Sequence, residues 1–320
     1  MVKIAIAGGS GQVAREVIDA LLRSKTKHEI TILSRQQPPS TNNNANENLT
    51  WRTVDYHDKS SLAAALRGTH TLLSFVQLLS DPGQIAQRNL IDASVQAGVK
   101  RFAPSEWGSK GTTALLWSDG KERIREYLKE VNKDQEVLEY TLFQPGIFLD
   151  YLAFPHQTAT HLLPLQTVFD VEKRRAMLVH GHEDAVMTLT TVADLAGVVV
   201  RAVEYEGEGR KWPVEGGVVG NRVTMREVVE VAERVRGGPF TVDKVHLADL
   251  EAGTLNTSWS LGATHTSIPP DEAAAMLKRV AIGILVSSAK GAWDSTDGMS
   301  RLFADYRFTG IEEFLEGVWK

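Results

Sequence analysis

The sequence predicts an α/β protein: a doubly wound parallel sheet with a smaller C-terminal α+β lobe. Three observations carry this expectation. Apolar runs of strand length alternate with amphipathic stretches of helical period through the first half of the 320 residues. A glycine-rich turn, Gly8-Gly9-Ser10-Gly11, closes the first run. After Asp150 the texture changes to a stretch rich in aromatics, histidine and proline. At roughly 150 residues per domain the chain has room for two. They are placed at 1–150 and 151–320, with later elements near 190–235 expected to fold back onto the first.

Residues 2–7 form the first strand. Val13, Val17, Leu21 and Leu22 then recur on one helical face, and residues 30–33 make the second strand core, completing a βαβ unit. Residues 50–54 read as a strand, Asp58 as the cap of a helix carrying Leu62 and Leu66, and 71–76 as the fourth strand. A helix over 84–97 turns Ile85, Leu90, Ile91 and Val95 mostly inward. Residues 100–103 are a short strand, Asp119 caps a helix over 120–131, and 140–143 form a strand ended by Pro145-Gly146. In the second half, strands are predicted at 176–179, 186–189 and 240–245. Helices are predicted over 191–203 and 223–235, the latter capped near Thr224 and ended by Gly237-Gly238. A long helix starts at Pro269-Pro270 with Asp271 and Glu272 in its first turn, where the helix dipole favours carboxylates. Residues 36–48, with Pro38-Pro39 and Asn42, Asn43, Asn44, Asn46 and Asn48, read as a surface loop.

Composition removes several function classes. The 35 Lys plus Arg against 40 Asp plus Glu give a net charge of −5, without the basic footprint of a nucleic-acid binder. The absence of cysteine removes disulfide frameworks, thiolate zinc sites, iron–sulfur clusters and cysteine nucleophiles. No apolar run approaches the ~20 residues of a membrane helix, and the glycine-terminated N-terminal run does not read as a signal peptide. A cytoplasmic protein acting on a small molecule is expected, a monomer or homodimer, with no metal and no nucleic-acid or membrane partner.

The segment from Gly8 to Ala14 fits Gly-x-x-Gly-x-x-Ala between a strand and a helix. Gly8 permits the tight turn, Gly11 lets backbone approach a pyrophosphate, and Ala14 lets the helix pack closely on the strand. The helix start then offers free N–H groups to phosphate. In this context the pattern indicates a Rossmann-type dinucleotide site using Gly8, Gly9, Ser10, Gly11, Gln12 and Val13. Arg35 ends the second strand, and no Asp or Glu lies between Ile30 and Thr41. An arginine there suits the 2′-phosphate of NADP, whereas an acidic residue would suit the ribose hydroxyls of NAD. NADPH is the expected cofactor.

Other templates are absent. No tyrosine is followed by lysine four residues on, and there is no Gly-x-Ser-x-Gly elbow, phosphate loop or His-Glu-x-x-His. The run from His180 to Asp184 reads as a turn between strands rather than a metal site.

The segment Arg101-Phe102-Ala103-Pro104-Ser105-Glu106-Trp107-Gly108 resembles the Arg-Phe-x-Pro-Ser-Glu-Phe-Gly stretch of the isoflavone reductase-like proteins. These are atypical short-chain dehydrogenases of the NmrA-like group, including phenylcoumaran benzylic ether, pinoresinol–lariciresinol and isoflavone reductases and eugenol synthase. The helix over 89–98, the run from Tyr140 to Phe148 and the run from Val223 to Glu227 are similar too. The resemblance is strong to about Asp150 and diffuse afterwards.

It implies an NADPH-dependent reductase of an aromatic or conjugated small molecule, in secondary metabolism, with a cleft between the two domains. It also implies an active lysine in a Lys-x-x-x-Arg context, matched by Lys121 and Arg125. From the residues alone, Lys121 reads better as one charge on a solvated helix face, and it is the resemblance that reverses this. At a helix start with partial burial its pKa would fall from about 10.4, suiting it to exchange a proton with substrate. The loop before Lys121 is shorter than in the plant reductases, which leaves Lys110 as a fallback. By the same resemblance, Ser74, Phe75, Val76, Gln77, Ser105 and Lys121 itself face the cofactor. Pro145, Gly146 and Phe148 lie beside the nicotinamide, and Asp55 and Tyr56 border the adenine.

Trp107, Tyr151 and Phe154 are expected at the substrate, with Trp117 nearby. Trp259 and Trp293 are further candidates, although lobe core is the simpler reading for them. His156 and His161 read better as surface. Two other functions fit the same fold: an NADP(H)-sensing regulator without turnover, and a non-redox isomerase, dehydratase or cyclase.

Overall fold

Six parallel strands form the central sheet of the computed structural model, which describes residues 1–37, 47–111, 115, 118–206, 209–261 and 270–320. They are β1 (Lys3–Ala7), β2 (Glu29–Ser34), β3 (Leu49–Thr53), β4 (Thr71–Ser74), β5 (Arg101–Ala103) and β6 (Glu139–Tyr140). Their order is β3-β2-β1-β4-β5-β6, and every neighbouring pair is parallel. This is the expected Rossmann-like α/β fold. The order reverses between β1 and β4, which opens a crevice at the carboxyl ends of those two strands.

The side-chain alternation of β1 shows how the layers form. Ile4 and Ile6 point into a core with Val17 and Leu21 of α1 (Gln12–Arg23) and Leu195 and Val199 of α5 (Val192–Glu204). Ala5 and Ala7 point the other way, toward Leu62 of α2 (Lys59–Ala65), Leu90 of α3 (Ile85–Ala97) and Ile124 of α4 (Ser118–Val131). A parallel sheet must be covered on both faces in this way.

Local chemistry sets the helix ends. The Asp58 carboxylate accepts from Ser61 N at 3.0 Å, and Thr191 caps α5 by accepting from Asp194 N at 3.0 Å. Four expectations need correction. Ile85 is 45% exposed, because as the first residue of α3 it lines the open cleft rather than the core. Asp119 lies inside the first turn of α4, which begins at Ser118, rather than capping it. The strand expected over 140–143 splits at Thr141, whose hydroxyl donates to Pro213 O at 2.6 Å. The chain after that break, β7 (Leu142–Gln144), pairs in parallel with β12 (Glu215–Gly217) instead. Val223 belongs to a strand, β13 (Asn221–Thr224); α6 (Met225–Arg236) starts after it at a Thr224–Glu227 capping box.

A third core gathers residues mostly from 147 onward. Around it lie β8 (Ile147–Phe148), β9 (Phe169–Asp170), β10 (Arg175–Val179), β11 (Val186–Thr190) and β14 (Thr241–Val245). The helices α7 (Leu247–Glu251), α8 (Pro270–Ala289), α9 (Gly298–Leu302) and α10 (Ile311–Trp319) complete the chain. The sequence predicts nothing beyond the long helix; α9 and α10 are additions. α5 packs on α1, whereas α6 packs on α10 and β10. The segment at 161–163 crosses α1: the buried Glu16 carboxylate accepts from His161 N and Leu162 N at 2.5 and 3.1 Å, and Gln12 accepts from Leu163 N at 3.1 Å.

Gly146 ties the sheet to this later core. Its φ is +76°, and a Cβ there would lie 1.9 Å from Thr188 O on β11. Gly146→Ala is expected to cost about 3 kcal/mol, from left-handed strain plus displacement of β11 backbone. Urea unfolding checks this; an unchanged midpoint would mean that β11 yields freely.

Of the predicted loop at 36–48, residues 38–46 lie outside the described residues, as do Trp117 and Pro269. Among the described residues, no helix is long and apolar enough to cross a membrane.

Candidate functional site

A cleft of about 740 Å³ opens at the point where the strand order reverses, a size typical of small-molecule sites. Its floor is the glycine turn, with Gly8, Ser10 and Gly11. One side is the end of β2, with Ser34, Arg35 and Gln36, followed by Tyr56 and His57 after β3. The other side is Phe75, Val76 and Gln77 after β4, then a wall running from Ser80 to Ala86.

The turn has the features a dinucleotide needs. Gly8 has φ +72°, and a Cβ there would meet Phe75 O at 2.7 Å. Gly11 precedes α1, and no side chain caps that helix. The first-turn N–H groups of α1 are therefore left for a phosphate. Gly9 is packed against Ile32, where a Cβ would lie 2.7 Å from that side chain. Gln12 and Val13 are half-buried at the start of α1. Tyr56 reaches beneath the turn: its hydroxyl accepts from Gly8 N at 3.0 Å and donates to Leu33 O at 2.8 Å. Burial pushes this phenol up to about 12.

Arg35 is exposed at the cleft edge. The acidic lining residue Asp81 is already engaged, accepting from Ala86 N and Gln87 N at 2.9 and 3.1 Å. Asp55 does not line the cleft; its carboxylate accepts from His57 N at 2.9 Å within its own turn. Tyr56 and His57 take the lining positions. The residues alone gave no parity for that turn.

Beyond Phe75 the chain builds an aromatic stack. Trp107 lies parallel to Phe75 at 4.2 Å and to Phe143 at 5.2 Å. Its indole N–H donates to Ser74 O at 2.7 Å. The Ser74 side chain itself turns away from the cleft and donates to Gln87 at 2.7 Å. The turn at Pro145-Gly146 is drawn against this loop, with Gly146 N donating to Gly108 O at 3.1 Å. Phe148 meets Tyr151 edge-on at 5.8 Å. Pro145, Gly146 and Phe148 are buried here, Ser105 and Phe154 are half-buried, and none of these five lines the 740 Å³ cleft.

Lys121, in the first turn of α4, is buried, with its side chain 5% exposed. Its ammonium donates to the Glu106 carbonyl and lies 3.6 Å from the Glu106 carboxylate. Arg125, one turn on, grips that carboxylate with two hydrogen bonds, at 2.9 and 2.7 Å. Burial pulls the Lys121 pKa below the ordinary lysine value; Glu106 opposes the shift and Arg125 adds to it. Lys110, the fallback, is exposed, and its carbonyl accepts from Arg125 at 2.8 Å. Glu106 is the residue that sequence reasoning passed over. Its signal was a carboxylate set between a buried strand and Trp107-Gly108, where only a cation partner permits burial.

The remaining candidates lie elsewhere. Trp259 and Trp293 are buried in the third core, Trp293 donating to Ser287 at 2.7 Å. His156 sits against Trp319, and His161 pairs with Asp19 at 2.8 Å. Among the described residues no group of His, Cys, Asp and Glu could hold a metal ion.

Comparison with known proteins places this geometry in a family context. The model of the NmrA-like family matches residues 2–314. Oxidoreductase BOA1 of Botryotinia fuckeliana is 32% identical over 243 residues, covering 74% of this chain and 77% of that protein. The NADPH-dependent quinone oxidoreductase of Escherichia coli, in its complex with NADPH, has a TM-score of 0.68 at 22% identity, covering 99% of this chain and all of that one. Triphenylmethane reductase of Citrobacter sp., complexed with NADP(H), has a TM-score of 0.68 at 17% identity, covering 99% of each chain. At these identities the two solved structures establish the shared fold.

Proposed function

The chain belongs to the NmrA-like family, and on that premise we propose that it is an NADPH-dependent oxidoreductase that reduces an aromatic or conjugated small molecule. The observation that carries this reading is a juxtaposition. The glycine turn packs against the backbone of Phe75, Phe75 stacks on Trp107, and the buried Lys121 bonds the carbonyl of Glu106, the residue before Trp107. The names of the relatives support it: an oxidoreductase, a quinone oxidoreductase and a reductase of triphenylmethane, the last two with conjugated acceptors and NADP(H).

Bound NADPH would supply the hydride. The glycine turn and the open start of α1 would hold the pyrophosphate, and Arg35, with His57 beside it, the 2′-phosphate. Phe75, Val76 and Gln77 would guide the dinucleotide toward β5. Trp107, Tyr151 and Phe154 would border a flat apolar substrate, excluding water from its faces. Lys121 would give a proton to the substrate oxygen, or take one in the reverse direction.

The first test is a titration of the protein with NADPH and NADH, followed by nicotinamide fluorescence. NADPH is expected to bind at least about tenfold more tightly, the worth of one charge-assisted contact. Equal affinities would remove the NADP assignment. NADPH oxidation is then measured with a panel of quinones and conjugated carbonyls. Tight binding without any substrate-dependent oxidation would replace the reductase with a sensor.

A further inference from the structure

The ion cluster at the start of α4 sets one deeply buried carboxylate between two cations. Glu106 is its one deeply buried carboxylate, with a side chain 1% exposed, and it faces two cations, Lys121 and Arg125. Arg125 takes both carboxylate oxygens. Lys121 takes the carbonyl of the same residue and stands 3.6 Å from the nearer oxygen. Arg125 also reaches Lys110 O at 2.8 Å and the more exposed Glu122 carboxylate at 3.8 Å. A purely structural pair would need one cation, since a second buried charge carries its own desolvation cost. A buried cation held 3.6 Å off its carboxylate, beside the proposed reduction site, is placed to meet a developing oxyanion.

We propose that Glu106 is a positioning residue of the reductase: its carbonyl aims the Lys121 ammonium, and its carboxylate, locked by Arg125, keeps that ammonium charged until substrate takes the proton. This rests on the reductase reading above. The balance is simple. The hydride goes from NADPH to a substrate carbon, and an N–H proton of Lys121 goes to the substrate oxygen. Water then returns a proton to the neutral amine. An ammonium has three donors; the Glu106 carbonyl takes one, which fixes the direction of the others. The charged groups acting on Lys121 are Glu106, which favours its charged form, and Arg125, which opposes it.

The test reads Lys121 directly, without turnover. The full chain is labelled at the lysine ¹³Cε, and the Lys121 resonance is identified as the one lost in Lys121→Met. Its titration midpoint is then compared between variants. Glu106→Gln is expected to lower the midpoint by at least about one unit, the usual effect of removing an opposite charge at this range. Arg125→Met, which removes a like charge, is expected to raise it. The two shifts have opposite signs, so loosened packing cannot mimic both, and Arg125→Met decides if Glu106→Gln fails to fold. A folded Glu106→Gln within about 0.3 unit of the parent, or an Arg125→Met midpoint that stays put or falls, overturns the proposal. Absence of turnover in the parent protein overturns the reductase reading, whereas the order of the midpoints judges Glu106 by itself.

Discussion

Lys121→Met is expected to lower kcat at least about 100-fold, the lower end of what a positioned proton donor contributes. The NADPH dissociation constant should stay within about twofold, because Lys121 lies outside the lining of the nucleotide cleft. Methionine fills a similar volume, and Glu106 keeps Arg125 as its partner. The parent enzyme should also show the lysine in its pH profile. The protonated amine is the active form for reduction, so the rate is full below its pKa and lost as pH rises through it. Burial places that pKa below the ordinary lysine value, so the loss should come earlier than for an exposed lysine. Steady-state rates across pH, with parallel binding titrations, check both statements. A variant that turns over at the parent rate would show that Lys121 only balances Glu106.

Arg35→Ala should weaken NADPH binding about 10- to 100-fold, as loss of a charge-assisted hydrogen bond costs roughly 1.5–3 kcal/mol. NADH, which lacks the 2′-phosphate, should change by less than about twofold. The contrast between the two nucleotides matters more than either number. A parallel loss for both would mean that Arg35 supports the cleft wall rather than a phosphate. His57, which shares that edge, would retain part of the preference in the variant.

Some of this was legible in the residues because the signals are local. The βαβ unit at 3–34 follows from strand period, helix period and a turn that only glycine fits at Gly8. Asp58, Thr191 and Thr224 announce helix starts because their side chains accept from N–H groups three residues on. What was illegible depends on partners far along the chain. The break at Thr141 is set by Pro213, and the burial of Lys121 by Glu106. The run from Lys121 to Glu126 reads as a solvated face, since nothing within it shows that two of its cations meet a carboxylate from β5's loop. Likewise the exchange of Asp55 for His57 at the cleft depends on the turn's direction, which composition does not encode.

The crossing of α1 by residues 161–163 bears on how the protein is made. The face of α1 opposite the phosphates is completed by two late segments: that crossing, bonded to Glu16 and Gln12, and α5 at Val192–Glu204. During synthesis the nucleotide half emerges first, yet Val17 and Leu21, already packed on β1, lack their α5 cover until about residue 204, and the Glu16 carboxylate lacks its backbone partners until about residue 162 has left the ribosome. The earliest part of the chain is therefore among the last to be finished, and a nascent chain stalled near the middle would present an apolar sheet face to chaperones rather than a ready nucleotide site.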